Sequence, residues 1–418
     1  MKRTFSSFKY RNYRLFFAGQ IVSQTGSWMQ RIAMGWFVLQ ITHSAFAVGI
    51  MALSSFLPFT VFGLFAGVIT DRVDARKLVI ATQAGQLASA ALLAWIALGG
   101  FAKPWMLYAI GFGTGLILVL DVPSRQQLTY RMVGRDELSN AIALNSSLFN
   151  ASRIFGPSVA GMIYGFTGAG VCFLINAISF LAVLLGLLAM RVREFFPLEK
   201  FERPSILHGT REGMAYVLKD RQMLVVLTMT FLLSTFAFNF NVTLPVLAYK
   251  TLHEAAHPWV YGLLSSFFGA GALVGALAAA SLGRASTKVM LVGASVFTGA
   301  ELFLSPVKAV WLTGVLLFVV GAGFTAWTAN SNASMQLRAP DHLRGRIIGL
   351  YYYAFNGSAS FAGFLFGWIC AAGGTELAFF IGGVVGLAST VWAALRLVPR
   401  ERRTLPRWSS AAGLTARR

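Results

Sequence analysis

Thirty of the 35 lysines and arginines fall on one side of an alternating series of apolar segments. They precede the first segment (Lys2, Arg3, Lys9, Arg11, Arg14) and then occupy every second connection: 71–77, 125–135, 191–221, 284–288, 338–346 and everything from Arg396 onward. The other connections hold only Lys103, Lys250 and Lys308, while Arg31 and Arg153 lie within apolar segments. Positive residues are retained on the cytoplasmic side of a membrane. The alternation therefore predicts twelve crossings and places both termini in the cytoplasm.

Composition agrees with a chain solvated largely by lipid. Hydrophobic residues make up 56% of it and charged residues 12%. A net charge of +20 on a soluble domain would point to nucleic acid, but here it is divided among short connections facing an anionic leaflet. Nucleic-acid binding is excluded on that distribution. The first apolar run continues to about Ile41, too long for the core of a cleavable signal. Cys172 and Cys370 lie inside apolar runs and read as buried small side chains rather than a disulfide framework.

A membrane-spanning helix needs about 20 apolar residues. The expected spans are 15–40, 45–69, 77–99, 104–123, 138–165, 170–190, 222–247, 259–282, 288–306, 309–331, 345–371 and 376–397. This gives an all-α membrane protein with two six-helix bundles, 1–190 and 222–400, joined by a cytoplasmic linker, 191–221, and followed by a basic tail, 401–418. A surface helix is expected within the linker, from Ser205 to Lys219. The halves repeat weakly. Gly49-Ile50-Met51-Ala52-Leu53-Ser54-Ser55-Phe56 parallels Gly262-Leu263-Leu264-Ser265-Ser266-Phe267. Asp136-Glu137-Leu138 opens the fifth span as Asp341-His342-Leu343 opens the eleventh.

Three segments carry mechanism. Between the second and third spans stands Gly67-Val68-Ile69-Thr70-Asp71-Arg72-Val73-Asp74-Ala75-Arg76-Lys77. The fifth span contains Asn150, then Arg153-Ile154-Phe155-Gly156-Pro157-Ser158-Val159-Ala160-Gly161. The fourth ends in Asp121-Val122-Pro123-Ser124-Arg125. The first resembles the major facilitator loop pattern G-x-x-x-D-R-x-G-R-[RK]: Gly67, Asp71, Arg72 and Arg76 match, Asp74 replaces a glycine and Ala75 a basic residue. The second resembles the Gly-Pro motif of facilitator-type exporters. With Arg11-Asn12-Tyr13-Arg14, these stretches are similar to the major facilitator branch that contains enterobactin exporters and macrolide efflux proteins. The resemblance implies two pseudo-symmetric bundles related by an axis along the membrane normal. It also implies a cytoplasmic gate at Gly67, Asp71, Arg72, Asp74, Arg76 and Lys77, and close helix packing at Gly156, Pro157 and Gly161. The corresponding loop of the second half, Gly283-Arg284-Ala285-Ser286-Thr287-Lys288, lacks the acidic residue.

Ionisable groups inside a membrane are expensive and mark function by default. Arg31, beside Trp28, is read either as a site for an anionic substrate group or as a structural partner of a neighbouring helix. Arg153, a turn before Gly156, is read as a cavity residue or an interhelix hydrogen-bonding group, with a structural role as the alternative. Asp121 and Glu301 are the candidate proton carriers, although Asp121 can instead pair with Arg125, and Glu301, near Pro306, can instead be hydrated. Asn150, Asn239, Asn241, Tyr353 and Asn356 supply polar groups on expected cavity helices. Abundant Phe suits a bulky amphipathic ligand.

The chain contains no phosphate-binding loop, no cluster with metal-ligand spacing and no nucleophile elbow. No cofactor or metal is expected, and no enzymatic activity. The expectation is a monomeric secondary transporter of the bacterial inner membrane. It would export a bulky siderophore-like or drug-like molecule by alternating access, coupled to protons. Import or uniport on the same fold is the first alternative, and a membrane-embedded enzyme a remote one.

Overall fold

The computed structural model describes residues 5–63, 65–197, 206–281, 285–340 and 343–397. Within them the chain is helical, without strands. A short 3-10 turn at Ser6–Lys9 leads into α1 (Arg11–Thr42). The next crossing is made by α2 (Ala45–Phe62) and continued by α3 (Ala66–Arg72), the helix breaking between them where a single span 45–69 was expected. Asp74 caps α4 (Ala75–Leu98) by accepting from the Lys77 amide at 3.1 Å, satisfying one of the free donors of a helix start.

A single helical run, α5 (Pro104–Thr167), contains both the fourth and fifth crossings. At 1.5 Å per residue it is too long for one. It reverses at Gly134, whose φ of 71° is open to glycine and strained for other residues. The packing shows the reversal. Gly111 and Gly115 meet Met51 and Ser55 of α2, whereas Ala141, Asn145 and Ser152 meet Tyr13 and Thr25 of α1 in ascending order. The stretch 125–135, expected as a connection, is thus helical to its turn. Its polar side chains find partners on α1 and α4, so the helix does not need to end there. Next, α6 (Ala169–Leu188) packs on α1 and α4.

After a turn at Val192–Glu194, the expected surface helix is present as α7 (Ile206–Lys219). Asp220 caps α8 (Arg221–Phe236) through the amides of Gln222 and Met223 at 2.9 and 3.0 Å. Residues 237–239 then interrupt the seventh crossing before α9 (Phe240–Val246) and a π-helical turn over Leu247–Thr251. A continuous span 222–247 had been expected. Asn239 stabilises the break by donating to the Thr235 carbonyl at 2.7 Å. The chain continues through α10 (Pro258–Ser281), α11 (Thr287–Leu304) and α12 (Val310–Arg338). Last come α13 (Arg344–Asn356) and α14 (Ala359–Leu397), the latter reversing at Gly373 and Gly374, with a φ of 71° at Gly374. The expected eleventh span is therefore interrupted at Gly357 and Ser358. The tail 401–418, residues 198–205 of the linker, and the Gly283-Arg284 and Asp341-His342 pairs lie outside the described residues.

Nine helical stretches among the described residues are long and apolar enough to cross a membrane. Two of them, α5 and the run Arg344–Leu397, double back at glycines and cross twice. Adding the more polar α1 completes the twelve crossings expected from the sequence. Cys172 and Cys370 are both buried and unpaired.

The two halves meet along two crossings. On one, α2 lies against the first part of α14: a methyl group at Gly49 would stand 2.7 Å from the Gly367 Cα, and one at Gly363 would stand 2.6 Å from the Ala52 Cβ. On the other, the second part of α5 lies against α10: a methyl at Gly161 would stand 2.8 Å from the Trp259 Cα. Ser158 and Ser266 share a hydrogen bond of 2.6 Å there, and Ser266 also donates to the Ile154 carbonyl at 2.7 Å. Trp36 adds ring contacts with Tyr249 and Tyr261, and His43 a 3.0 Å hydrogen bond with Tyr249. These contacts run from the end remote from the basic connections to mid-depth.

Gly49→Val should force the α2–α14 crossing apart. The expected result is stronger maleimide labelling of a cysteine placed at Phe46, compared with the same cysteine in the Gly49 background.

Candidate functional site

Near mid-depth, Arg31 is exposed although Met29, Gln30, Ile32 and Ala33 around it on α1 are buried. Its guanidinium lies 4.8 Å from the centre of the Trp28 ring, and the Tyr261 hydroxyl of α10 is within electrostatic reach. Trp28 in turn meets Phe149 edge-to-face at 5.6 Å, and a methyl at Gly156 would stand 2.6 Å from its Cβ. Arg31 is therefore flanked by α5 and α10 and opens onto the space between the halves. Among the described residues no carboxylate or hydrogen-bond acceptor is paired with it.

Arg153 lies one helical turn before Gly156, on nearly the same side of α5 as Phe149. It is half-buried, and its Nε is buried without a hydrogen-bond partner. Pro157 has no N–H for the carbonyl four residues earlier. That carbonyl, of Arg153, instead faces α10, 3.1 Å from where a methyl at Gly269 would be. Gly156 and Gly161 thus admit Trp28 and α10, and Pro157 lies between them. The expected packing motif and two expected site residues, Trp28 and Arg31, converge on one region.

In the second half, a cavity of about 510 Å³ is lined by Phe324, Thr328, Asn332 and Gln336 of α12 and by Tyr351, Tyr352 and Phe355 of α13. Thr328, Asn332 and Gln336 recur every fourth residue and so form one polar stripe. This spacing was present in the sequence, but Thr328 and Gln336 were not among the expected site residues. Tyr353 donates to the Thr60 carbonyl at 2.9 Å and so ties α13 to α2. Asn150 and Asn356 donate to carbonyls of their own helices, at 2.9 and 3.2 Å, and Asn241 is exposed. Much of the Phe content is core. Phe238 stacks on Phe324 at 4.4 Å, within a cluster that includes Phe240, Phe268, Phe297 and Trp327.

The two intramembrane carboxylates differ sharply. Asp121, buried, accepts from Thr82 at 2.6 Å and Gln83 at 2.9 Å and pairs with Arg125 at 2.6 Å, while Arg125 also bonds Gln20. Three side chains from α4 and α5 surround it, and Gln20 links Arg125 to α1. Glu301 is only 2% exposed, although it lies near Pro306. It packs against Gly382 of α14, beside the end of α8, and its Oε2 has no hydrogen-bond partner among the described residues.

At the basic end, the described gating residues make contacts within the first half. Asp74 pairs with Arg131 at 2.5 Å, and Arg76 donates to the Leu187 and Leu188 carbonyls at 2.9 and 3.2 Å. Partial burial works to raise the Asp74 carboxyl, but the Arg131 hydrogen bond and the Lys77 amide outweigh it and hold it below its usual value. Arg72 and Lys77 are exposed. Gly67 and Asp71 belong to α3, but their surroundings lie outside the described residues.

The sequence pattern of the transmembrane secretion effector family matches residues 2–411. The chain belongs to that family of major facilitator transporters. It is accordingly a multi-pass membrane transporter and not an enzyme. It is 23% identical over 350 residues to macrolide efflux protein A of Streptococcus pyogenes, covering 82% of this chain and 86% of that one. To the staphyloferrin A transporter of Staphylococcus aureus it is 22% identical, covering 81% and 84%. To the multidrug efflux pump Tap of Mycolicibacterium fortuitum it is 25% identical, covering 79% and 82%. Among solved structures, the nucleoside transporter NupG superimposes with a TM-score of 0.73 at 12% identity, over 96% of this chain and 100% of that one. A POT family transporter in complex with 5-aminolevulinic acid gives 0.74 at 11%, over 92% and 96%. These likenesses establish the twelve-helix, two-bundle major facilitator fold.

Two stability tests follow. Asp121→Ala should destabilise the purified transporter by up to about 3 kcal/mol, because it leaves the part-buried Arg125 without its counter-ion and Thr82 and Gln83 without their shared acceptor. The pair Asp121→Leu with Arg125→Leu should cost much less; both are read by thermal unfolding in detergent. Asp74→Ala should cost about 1 kcal/mol near neutral pH, mostly from the lost cap. Since the folded carboxyl is held low, its stabilisation is complete above about pH 4 and is lost as pH falls through the lower folded value. The difference between Asp74→Ala and the unsubstituted chain should shrink accordingly.

Proposed function

We propose that the chain exports a bulky amphipathic organic compound, siderophore-like or drug-like, across the bacterial inner membrane by alternating access in exchange for protons. The observation that carries this reading is the pairing of a tightly packed remote end with a polar and aromatic cavity on α12 and α13. With the basic connections facing the cytoplasm, the remote end is the outer face and the arrangement is inward-facing. A substrate would enter from the cytoplasm, lie between α1, α5, α12 and α13, and leave once the α2–α14 and α5–α10 crossings part. Efflux by relatives of similar length supports the direction.

Asp74 and Arg76 hold the cytoplasmic ends of α4, α5 and α6 together, so in this state the loop braces one bundle. In the outward-facing state, Gly67, Asp71 and Arg72 are assigned to the contact with the other bundle. Glu301 is assigned the proton. It is buried, lacks a counter-ion and stands behind the interruption between α8 and α9, where a change of charge can act on helix geometry. Asp121 is assigned to bracing, since every oxygen is engaged. The functional unit is a monomer.

The test is flux in inside-out vesicles. An outwardly directed proton gradient, with the vesicle lumen acidic, should drive accumulation of an exported dye, and Glu301→Gln should abolish the dependence on the gradient while leaving dye binding intact. Asp71→Asn should reduce flux at normal protein levels. Flux only in the opposite direction, with no efflux defect in a deletion strain, would replace export with uptake.

A further inference from the structure

Several arginines at the cytoplasmic ends of the spans have partners. Arg125 has Asp121, Arg131 has Asp74, Arg76 has the carbonyls closing α6, and Arg346 and Arg338 have Glu212 and Asp220. Against that pattern, Arg31 and Arg153 stand apart. Both lie within spans, flank the same Trp28–Phe149–Gly156 contact, and lack a carboxylate among the described residues. The two carboxylates inside spans are both withdrawn from this space. Asp121 is enclosed by Thr82, Gln83 and Arg125, and Glu301 is packed between α11 and α14. The region between the halves therefore holds two fixed positive charges and no described negative one.

A guanidinium within a membrane span is costly unless a partner completes it; the Arg153 Nε is buried and unbonded, and Arg31 is open to a ligand. We infer that the transported molecule is an organic anion, its carboxylate bound by Arg31 of α1 and Arg153 of α5. This deepens the transport reading and rests on it. Guanidinium groups suit carboxylates through paired N–H donors. The indole of Trp28 under Arg31 holds that guanidinium by a cation–π contact without neutralising it. The cavity on α12 and α13 offers groups for the rest of such a molecule: Phe324, Tyr351, Tyr352 and Phe355 for an apolar body, with Thr328, Asn332 and Gln336 for hydrogen bonds. The same field disfavours a cationic amphiphile, because nothing between the halves offsets a third positive charge.

The test uses the purified full chain in lipid nanodiscs and three probes sharing one apolar body: pyrenebutyrate, its methyl ester, and pyrenebutyl-trimethylammonium. Binding is read by quenching of tryptophan fluorescence against empty nanodiscs. Pyrenebutyrate should bind roughly tenfold or more tighter than the ester, the worth of a charge-assisted hydrogen bond, and the cation should bind most weakly. Arg31→Gln and Arg153→Gln should each weaken the acid about tenfold and leave the ester unchanged. Binding of the cation as tightly as the acid overturns the proposal, and so does equal weakening of acid and ester by both substitutions. The wild-type comparison needs no variant to fold. Vesicle flux separates the two readings: charge-indifferent flux overturns the anion assignment alone, whereas tight acid binding without flux keeps the site and overturns the transport reading.

Discussion

Backbone approaches backbone where the two halves cross, and the rest of the structure depends on that contact. Lipid offers helices no hydrophobic gain for leaving it, so association rests on close van der Waals packing and on hydrogen bonds at small residues. Gly49 with Gly367, and Gly161 with Gly262, bring main chains together with no side chain between them. Ser158, Ser266, Thr60 and Ser360 add short hydrogen bonds beside those contacts. Such interfaces have little interdigitation to undo. That makes them suitable as surfaces that separate and reform, unlike the aromatic core around Phe297 and Trp327.

Each bundle, by contrast, is fastened internally by polar groups that reach between helices. Tyr13 donates to the Ala141 carbonyl, Asn176 to Gln30, and Asn12 exchanges two bonds with the main chain of Arg191. The Asp121 cluster joins three helices in the same way. The two kinds of contact divide the labour: hydrogen-bonded networks keep a bundle rigid, and glycine crossings let bundles move as bodies.

Much of this was legible in the sequence, and the parts that were not have physical reasons. Charge alternation and apolar length set the twelve crossings, because the bilayer imposes both. The interruptions between α2 and α3, at 237–239 and at 357–358 were missed. Their cost is met by local bonds, such as Asn239 to Thr235, that leave no mark in hydropathy. Arg31, Trp28, Gly156 and Pro157 could be picked out as candidates because charge, proline and paired glycines are rare enough in a span to draw attention. Tyr261 and the Thr328–Gln336 stripe depend on which way α10 and α12 are turned. Asp121 and Glu301 stood as equal candidates for the proton, although Arg125 was already a possible partner for Asp121; the packing adds Thr82 and Gln83 as donors to the first and leaves the second without a described hydrogen-bond partner on its Oε2.

The chain between the bundles is anchored at both ends to different bodies. The Phe196 amide donates to the Arg131 carbonyl at 2.8 Å, fixing that end to the first bundle. On the far side, Glu212 of α7 pairs with Arg346 and Asp220 with Arg338, fixing that end to the second. Fifteen residues, 197–211, join Phe196 to Glu212, the last six of them helical; nine extended residues and six helical ones reach at most about 40 Å. The linker therefore acts as a leash, setting an upper bound on how far the basic ends of the two bundles can swing apart.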